Sequence, residues 1–107
     1  EIALVGQLSL HDGQKLPLSG RIDRYIEADD AIMLIDFKTG TPDASGEFAP
    51  AIMMQMAAYR DLVARAKPDK KITCGIVWTQ IARLDRLPAA ALDAALEDIR
   101  AGAFALA

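Results

Sequence analysis

Gly20-Arg21-Ile22-Asp23-Arg24 and Ile35-Asp36-Phe37-Lys38-Thr39-Gly40 decide how this chain is read. Around and between them runs apolar, β-leaning sequence interrupted by Ala28-Asp29-Asp30. It reads as two strands, Leu16 to Glu27 and Ala31 to Lys38, joined by a tight turn. With Asp29 and Asp30 at the tip, Asp23 falls opposite Asp36, their Cβ atoms roughly 5 Å apart. A loop one residue longer would break that coincidence. Strand side chains alternate between faces. One face carries Ile22, Ile26, Met33, Ile35 and Phe37, with Arg24 as its exception, and is expected to form the core. The other presents Asp23, Asp36 and Lys38, with Arg21 and Tyr25 nearby.

Two like charges opposed on a sheet repel, and something must compensate them. Lys38 is one compensator and a divalent cation is another. Carboxylate oxygens are hard ligands, suited to Mg²⁺ or Mn²⁺ far better than to Zn²⁺. Two carboxylates on rigid strands, with a lysine two residues beyond the second, suit metal-assisted phosphodiester cleavage, where the ammonium orients the nucleophile or offsets developing charge. The bland alternative is a solvated hairpin face with an ordinary Asp–Lys surface pair, which is common and weak. The second aspartate at the matching position, with Gly20 and Gly40 flanking the site, weighs against it.

Outward from this hairpin, Ile2 to Leu10 forms an earlier strand ending at His11-Asp12-Gly13, and Asp-Gly is a strong hairpin signal. Thr39 to Gly46 is rich in turn formers and reads as an exposed loop. Pro50 opens a helix to about Ala66, with Ile52, Met56, Tyr59 and Val63 on one stripe and Lys67-Pro68 as its stop. Ile72 to Thr79 is a further strand and Ile81 to Leu87 a short one. Pro88 then opens a last helix through about Phe104, with Leu92, Leu96 and Ile99 on one face. Three strands, a helix, one or two strands and a helix make a mixed α/β or α+β domain.

At 107 residues the chain is one domain's worth, and 52% apolar with 25% charged residues excludes disorder. Twelve basic against fifteen acidic residues give a net charge of −3, which argues against a polyanion binder working through a broad basic surface. A single cysteine excludes an internal disulfide framework and a four-cysteine metal centre, and fits a reducing, cytoplasmic setting. That residue, Cys74, reads as a small buried hydrophobe. Trp78 and the methionines 53, 54 and 56 read as core. His11, at its turn, reads as a solvated loop histidine. No apolar run approaches the roughly 20 residues of a bilayer span, and the opening residues do not read as a secretory signal. The chain starts on Glu1 and enters a strand pattern at once, which reads as a piece of something longer.

Gly-Arg-Ile-Asp-Arg, then Ile-Asp-Phe-Lys-Thr-Gly, then Gln55-Met-Ala-Ala-Tyr59, in this order and spacing, resemble the nuclease core of RecB-like enzymes in the PD-(D/E)XK superfamily. The match is closest to the C-terminal nuclease domain of the AddA subunit of AddAB helicase–nucleases, and covers about Leu4 to Leu87. The resemblance implies a restriction-endonuclease-like core with mainly antiparallel hairpins flanked by helices. It implies that Asp23 and Asp36 bind Mg²⁺ or Mn²⁺ together with the main-chain carbonyl of Phe37, whose side chain can stay in the core. It further implies that Lys38 is the catalytic lysine, and that Gln55 and Tyr59 lie on a helix beside the active site and DNA. Implied partners are DNA, helicase domains of the same parent chain and a second, AddB-like subunit, acting in double-strand break repair.

The family usually adds a histidine or glutamate ligand from an upstream helix, which this sequence does not contain; the expectation is a single, partial nuclease domain over residues 1–107. Two alternatives stay open: a stand-alone RecB-like exonuclease, and a non-catalytic module that positions DNA or contacts another subunit. The intact Asp23, Asp36 and Lys38 weigh against the second.

Overall fold

Among the described residues, 1–103 of a computed structural model, eight elements follow one another. They are β1 (Ile2–Ser9), β2 (Lys15–Ile22), β3 (Arg24–Glu27), β4 (Ala31–Lys38), α1 (Pro50–Ala66), β5 (Lys71–Trp78), β6 (Arg83–Arg86) and α2 (Ala89–Arg100). β1 and β2 make an antiparallel ribbon running from Ile2↔Ile22 to Ser9↔Lys15. Its turn forms because Gly13 accepts a φ of 88° and the Asp12 carboxylate takes the Gln14 N–H at 2.9 Å. The ribbon alternates cleanly: Leu4, Gly6 and Leu8 on β1, and Leu16, Leu18, Gly20 and Ile22 on β2, share the more buried side.

The other strands form a mixed sheet in the order β3-β4-β5-β6. β3 pairs antiparallel to β4 with Arg24 opposite Ile35 and Glu27 opposite Ile32, the register expected from the Asp29-Asp30 turn. β5 joins β4 in parallel, which requires a crossover, and α1 supplies it. The strand expected from Leu16 to Glu27 is two strands. Its first part pairs with β1 and its second with β4, and a strand that changes sheets must bend where it does so. The bend falls at Asp23.

Ile22 is buried in the core as expected, but beyond the bend the core lies on the other face of the β3–β4 hairpin from the one expected. Ile32 and Leu34 of β4 and Ile72, Cys74, Ile76 and Trp78 of β5 meet Met56, Ala57, Tyr59 and Val63 of α1 and Leu92 and Ala95 of α2. On the opposite face Ile26 is 49% exposed and Phe37 42%, and Ile35 is shielded. β4 is apolar in both phases, so its own pattern cannot choose a face. β5 chooses. Its large apolar side chains share one phase, and the parallel register sets Leu34 beside Cys74 and Asp36 beside Ile76 on that side. Asp36 and Lys38 therefore sit at the end of the helix-covered face instead of across the sheet from it.

Both helices match the periodicity, and Pro50 stands at the start of α1 as expected. α2 stops at Arg100, before the expected limit: Gly102 takes a φ of 86°, and the N–H groups of Gly102 and Ala103 cap the carbonyls of Ile99 and Asp98. Phe104 lies outside the described residues. Trp78 and Met56 are buried, as expected of core. No described helix is long and apolar enough to cross a membrane.

Candidate active site

The bend between β2 and β3 and the end of β4 bring three of the chemistry-bearing residues together. The Asp23 carboxylate accepts the Phe37 N–H at 2.8 Å, and the Asp36 carboxylate pairs with the Lys38 ammonium at 2.8 Å. Within a strand, the N–H and C=O of one residue leave by the same edge, so the Phe37 carbonyl also faces the Asp23 side. The Phe37 side chain, expected in the core, is on the open face of the sheet.

The Asp23 and Asp36 carboxyls lie close enough to perturb each other, and they are shifted in opposite directions. Burial pushes the Asp36 carboxyl above the ordinary range, the neighbouring Asp23 adds to this, and Lys38 opposes it. Asp23 is held below the ordinary range, first by the neighbouring Asp36 carboxyl and then by the Phe37 N–H. A cation placed against both carboxylates would offset both charges.

The donor set fits Mg²⁺ or Mn²⁺. It offers hard oxygens only, and Mg²⁺ is commonly held by one or two carboxylates while keeping several waters. No group of three or more His, Cys, Asp or Glu side chains suited to a metal occurs among the described residues, so a closed zinc-type cage is not present there.

Gln55 and Tyr59 stand one turn apart on α1, and the Gln55 amide donates to the Tyr59 hydroxyl at 3.3 Å. With Lys38 they line a cavity of about 540 Å³ whose apolar walls include Leu16, Leu18 and Ile52. Tyr59 is a core-edge residue and a wall of this cavity at once. Arg21 and Tyr25 do not join the site: Arg21 pairs with Glu1 at 2.7 Å, and the Tyr25 hydroxyl donates to Glu27 at 3.1 Å. His11 is not simply solvated. Its Nε2 lies 2.5 Å from the Glu97 carboxylate, and its N–H donates to the Arg100 carbonyl, docking the ribbon's turn on the end of α2. Cys74 is buried, its thiol pushed up to about 12, and is inert as a nucleophile. The motifs alone did not reveal the contact between Gly20 and Tyr59. A glycine inside a regular strand was the available signal.

A mixed α/β core that gathers two carboxylates and a lysine beside a substrate-sized cavity is the architecture of a metal-dependent nuclease domain. A family model of the PD-(D/E)XK nuclease superfamily matches residues 1–104, and the chain belongs to that superfamily, whose members are in general phosphodiester hydrolases using divalent metal ions. No curated protein and no solved structure matches it.

Proposed function

We propose that this chain is the nuclease module of an ATP-dependent helicase–nuclease and hydrolyses phosphodiester bonds in DNA delivered by motor domains elsewhere in the parent protein. The observation that carries the hydrolytic reading is the convergence of Asp23, held by the Phe37 N–H at 2.8 Å, with Asp36, which pairs with Lys38 at 2.8 Å. In this reading Asp23, Asp36 and the Phe37 carbonyl hold Mg²⁺ or Mn²⁺. Bound there, the cation supplies Lewis-acid stabilisation of charge developing on the phosphoryl oxygens.

The protein's own groups do the rest. Lys38, anchored by Asp36, places a positive charge at the mouth of the cavity, where it orients the nucleophile and offsets phosphate charge. Gln55 and Tyr59 contact the substrate from the helix side. The net charge of −3 agrees with a module that receives DNA from other domains. The helicase association, the AddB-like second subunit and a part in double-strand break repair rest on the order and spacing of the three sequence blocks.

Calorimetric titration of Mn²⁺ and Mg²⁺, with Asp23→Ala and Asp36→Ala alongside, tests the site. Binding lost in both variants, together with metal-dependent cleavage of DNA, supports the reading. Metal affinity unchanged in Asp36→Ala sinks the site assignment. Absence of binding in the native sequence favours the non-catalytic alternative, unless an extended chain carrying upstream sequence restores it.

A further inference from the structure

Helix α1 rests on the β1–β2 ribbon through two glycines. A Cβ on Gly6 would lie 2.5 Å from Leu62 Cδ2, and a Cβ on Gly20 would lie 2.0 Å from the Tyr59 hydroxyl oxygen. The two contacts differ in kind. Leu62 meets Gly6 with the far end of a flexible side chain, whose other atoms are 3.6 Å away, so a rotamer change accommodates a methyl group. Tyr59 meets Gly20 with a rigid ring: Cζ and Cε1 are also within 2.7 and 2.9 Å of that Cβ. Tyr59 is 8% exposed and packed in the core, so its ring cannot swing aside without moving α1.

We propose that Gly20 is a positioning residue for the active site. By lacking a Cβ it lets the Tyr59 ring reach the floor of β2, and Tyr59 holds the Gln55 amide at the cavity that Lys38 also lines. Gly20 lies three residues before Asp23, on the strand that ends at the bend. The Gly20–Tyr59 contact therefore fixes the helix side of the site against its carboxylate side. A methyl group at position 20 lifts Tyr59, and Gln55 moves with it. The catalytic half of this inference rests on the nuclease reading above; the steric half does not.

A double-mutant cycle of Gly20→Ala and Tyr59→Leu tests it, because leucine keeps the inner part of the Tyr59 side chain and lacks the ring atoms that Cβ would strike. Three measurements are made on all four proteins: melting temperature, the NMR signals of the Gln55 side-chain NH₂, and Mn²⁺-dependent cleavage of a DNA oligonucleotide. In the native background Gly20→Ala is expected to lower the melting temperature, shift the Gln55 signals and reduce kcat/KM by roughly tenfold to a hundredfold, a typical cost of misplacement. Mn²⁺ affinity should stay within about twofold, since neither carboxylate is touched. In the Tyr59→Leu background Gly20→Ala should change all three readouts little, by about twofold or less in rate.

Equal effects of Gly20→Ala in both backgrounds overturn the proposal, because Gly20 would then act independently of Tyr59. So does a doubly substituted protein that fails to fold while Tyr59→Leu folds. If Gly20→Ala alone fails to fold and Tyr59→Leu rescues it, the proposal stands. A native chain that cleaves no DNA counts against the nuclease reading, and the melting and NMR arms still decide the Gly20–Tyr59 contact.

Discussion

The two faces of β4 carry similar amounts of apolar side chain and have opposite fates. Ile32 and Leu34 are sealed beneath α1 and α2, whereas on the outer face Ile35 is shielded but Phe37, with Ile26 of β3 and Leu84 of β6, faces outward. The acidic residue and the lysine lie on the sealed side, at its end. The difference teaches that burial tunes this site. An aspartate at position 37 on the outer face, 42% exposed, would be an ordinary solvated carboxylate. At 8% exposure on the inner face, Asp36 has its carboxyl pushed above the ordinary range by burial.

The sharpest way to break this comparison is chemical. Lys38→Ala should reduce DNA cleavage at least about a hundredfold, the usual scale for removing one charge-stabilising group. Metal affinity, read by calorimetry, should stay close to native. Loss of both together would mean that Lys38 serves the fold of the pair and not the reaction.

Packing gives the next effect. Leu34→Ala, on the inner face, should cost about 2–5 kcal/mol in denaturant unfolding, the range for a large-to-small change in a core. Phe37→Ala, on the outer face, should cost about 1 kcal/mol or less. Equal costs would show that something covers the outer face in solution.

The two faces also mark what was legible in the sequence. The register of β3 on β4 followed from the Asp29-Asp30 turn, but Asp23, expected to face Asp36 on that ladder, stands at the bend one residue before it and reaches the Phe37 N–H from there. The buried face did not follow, because Ala31-Ile-Met-Leu-Ile is apolar in both phases. The choice rested on β5, whose partner strand is not written in its own residues. The bend at Asp23 was hidden for a similar reason. Leu16 to Glu27 is uniformly strand-like, and only the competing partners β1 and β4 divide it. Pro50, Gly13 and the stripe through Met56, Tyr59 and Val63 were legible because their signals are local.

A smaller effect concerns stability. The folded-state pKa of Asp36 is raised, so its ionised form costs stability above that pKa, and the cost disappears as pH falls below the unfolded value. Asp36→Asn should therefore stabilise the metal-free protein at neutral pH by roughly 1 kcal/mol, a few degrees in melting temperature, and abolish metal binding. A lower melting temperature in that variant would show that the pair with Lys38 outweighs the burial of Asp36.

The smallest effect has the opposite sign and lies on the far edge of the sheet. Asp85 is held below its ordinary range, first by Arg83 and also by the Trp78 indole N–H, which donates to it at 2.9 Å. Its contribution is present above the unfolded pKa and lost as pH falls through the folded one. Trp78 fluorescence should report this acid step, and Asp85→Asn should remove it. A step that persists in the variant belongs to another carboxylate.

Asp23 stands where the chain leaves the ribbon for the sheet, so the two halves of the fold meet at a side chain proposed to bind the metal. The Phe37 N–H bond to Asp23 is a latch between them. Whatever draws Asp23 and Asp36 together also fastens the β1–β2 ribbon to the four-stranded sheet. Occupancy of the site is thereby coupled to the cohesion of the whole domain. A cation that binds only the assembled pair would act as a rivet, raising the melting temperature in proportion to the logarithm of its concentration once the site is saturated.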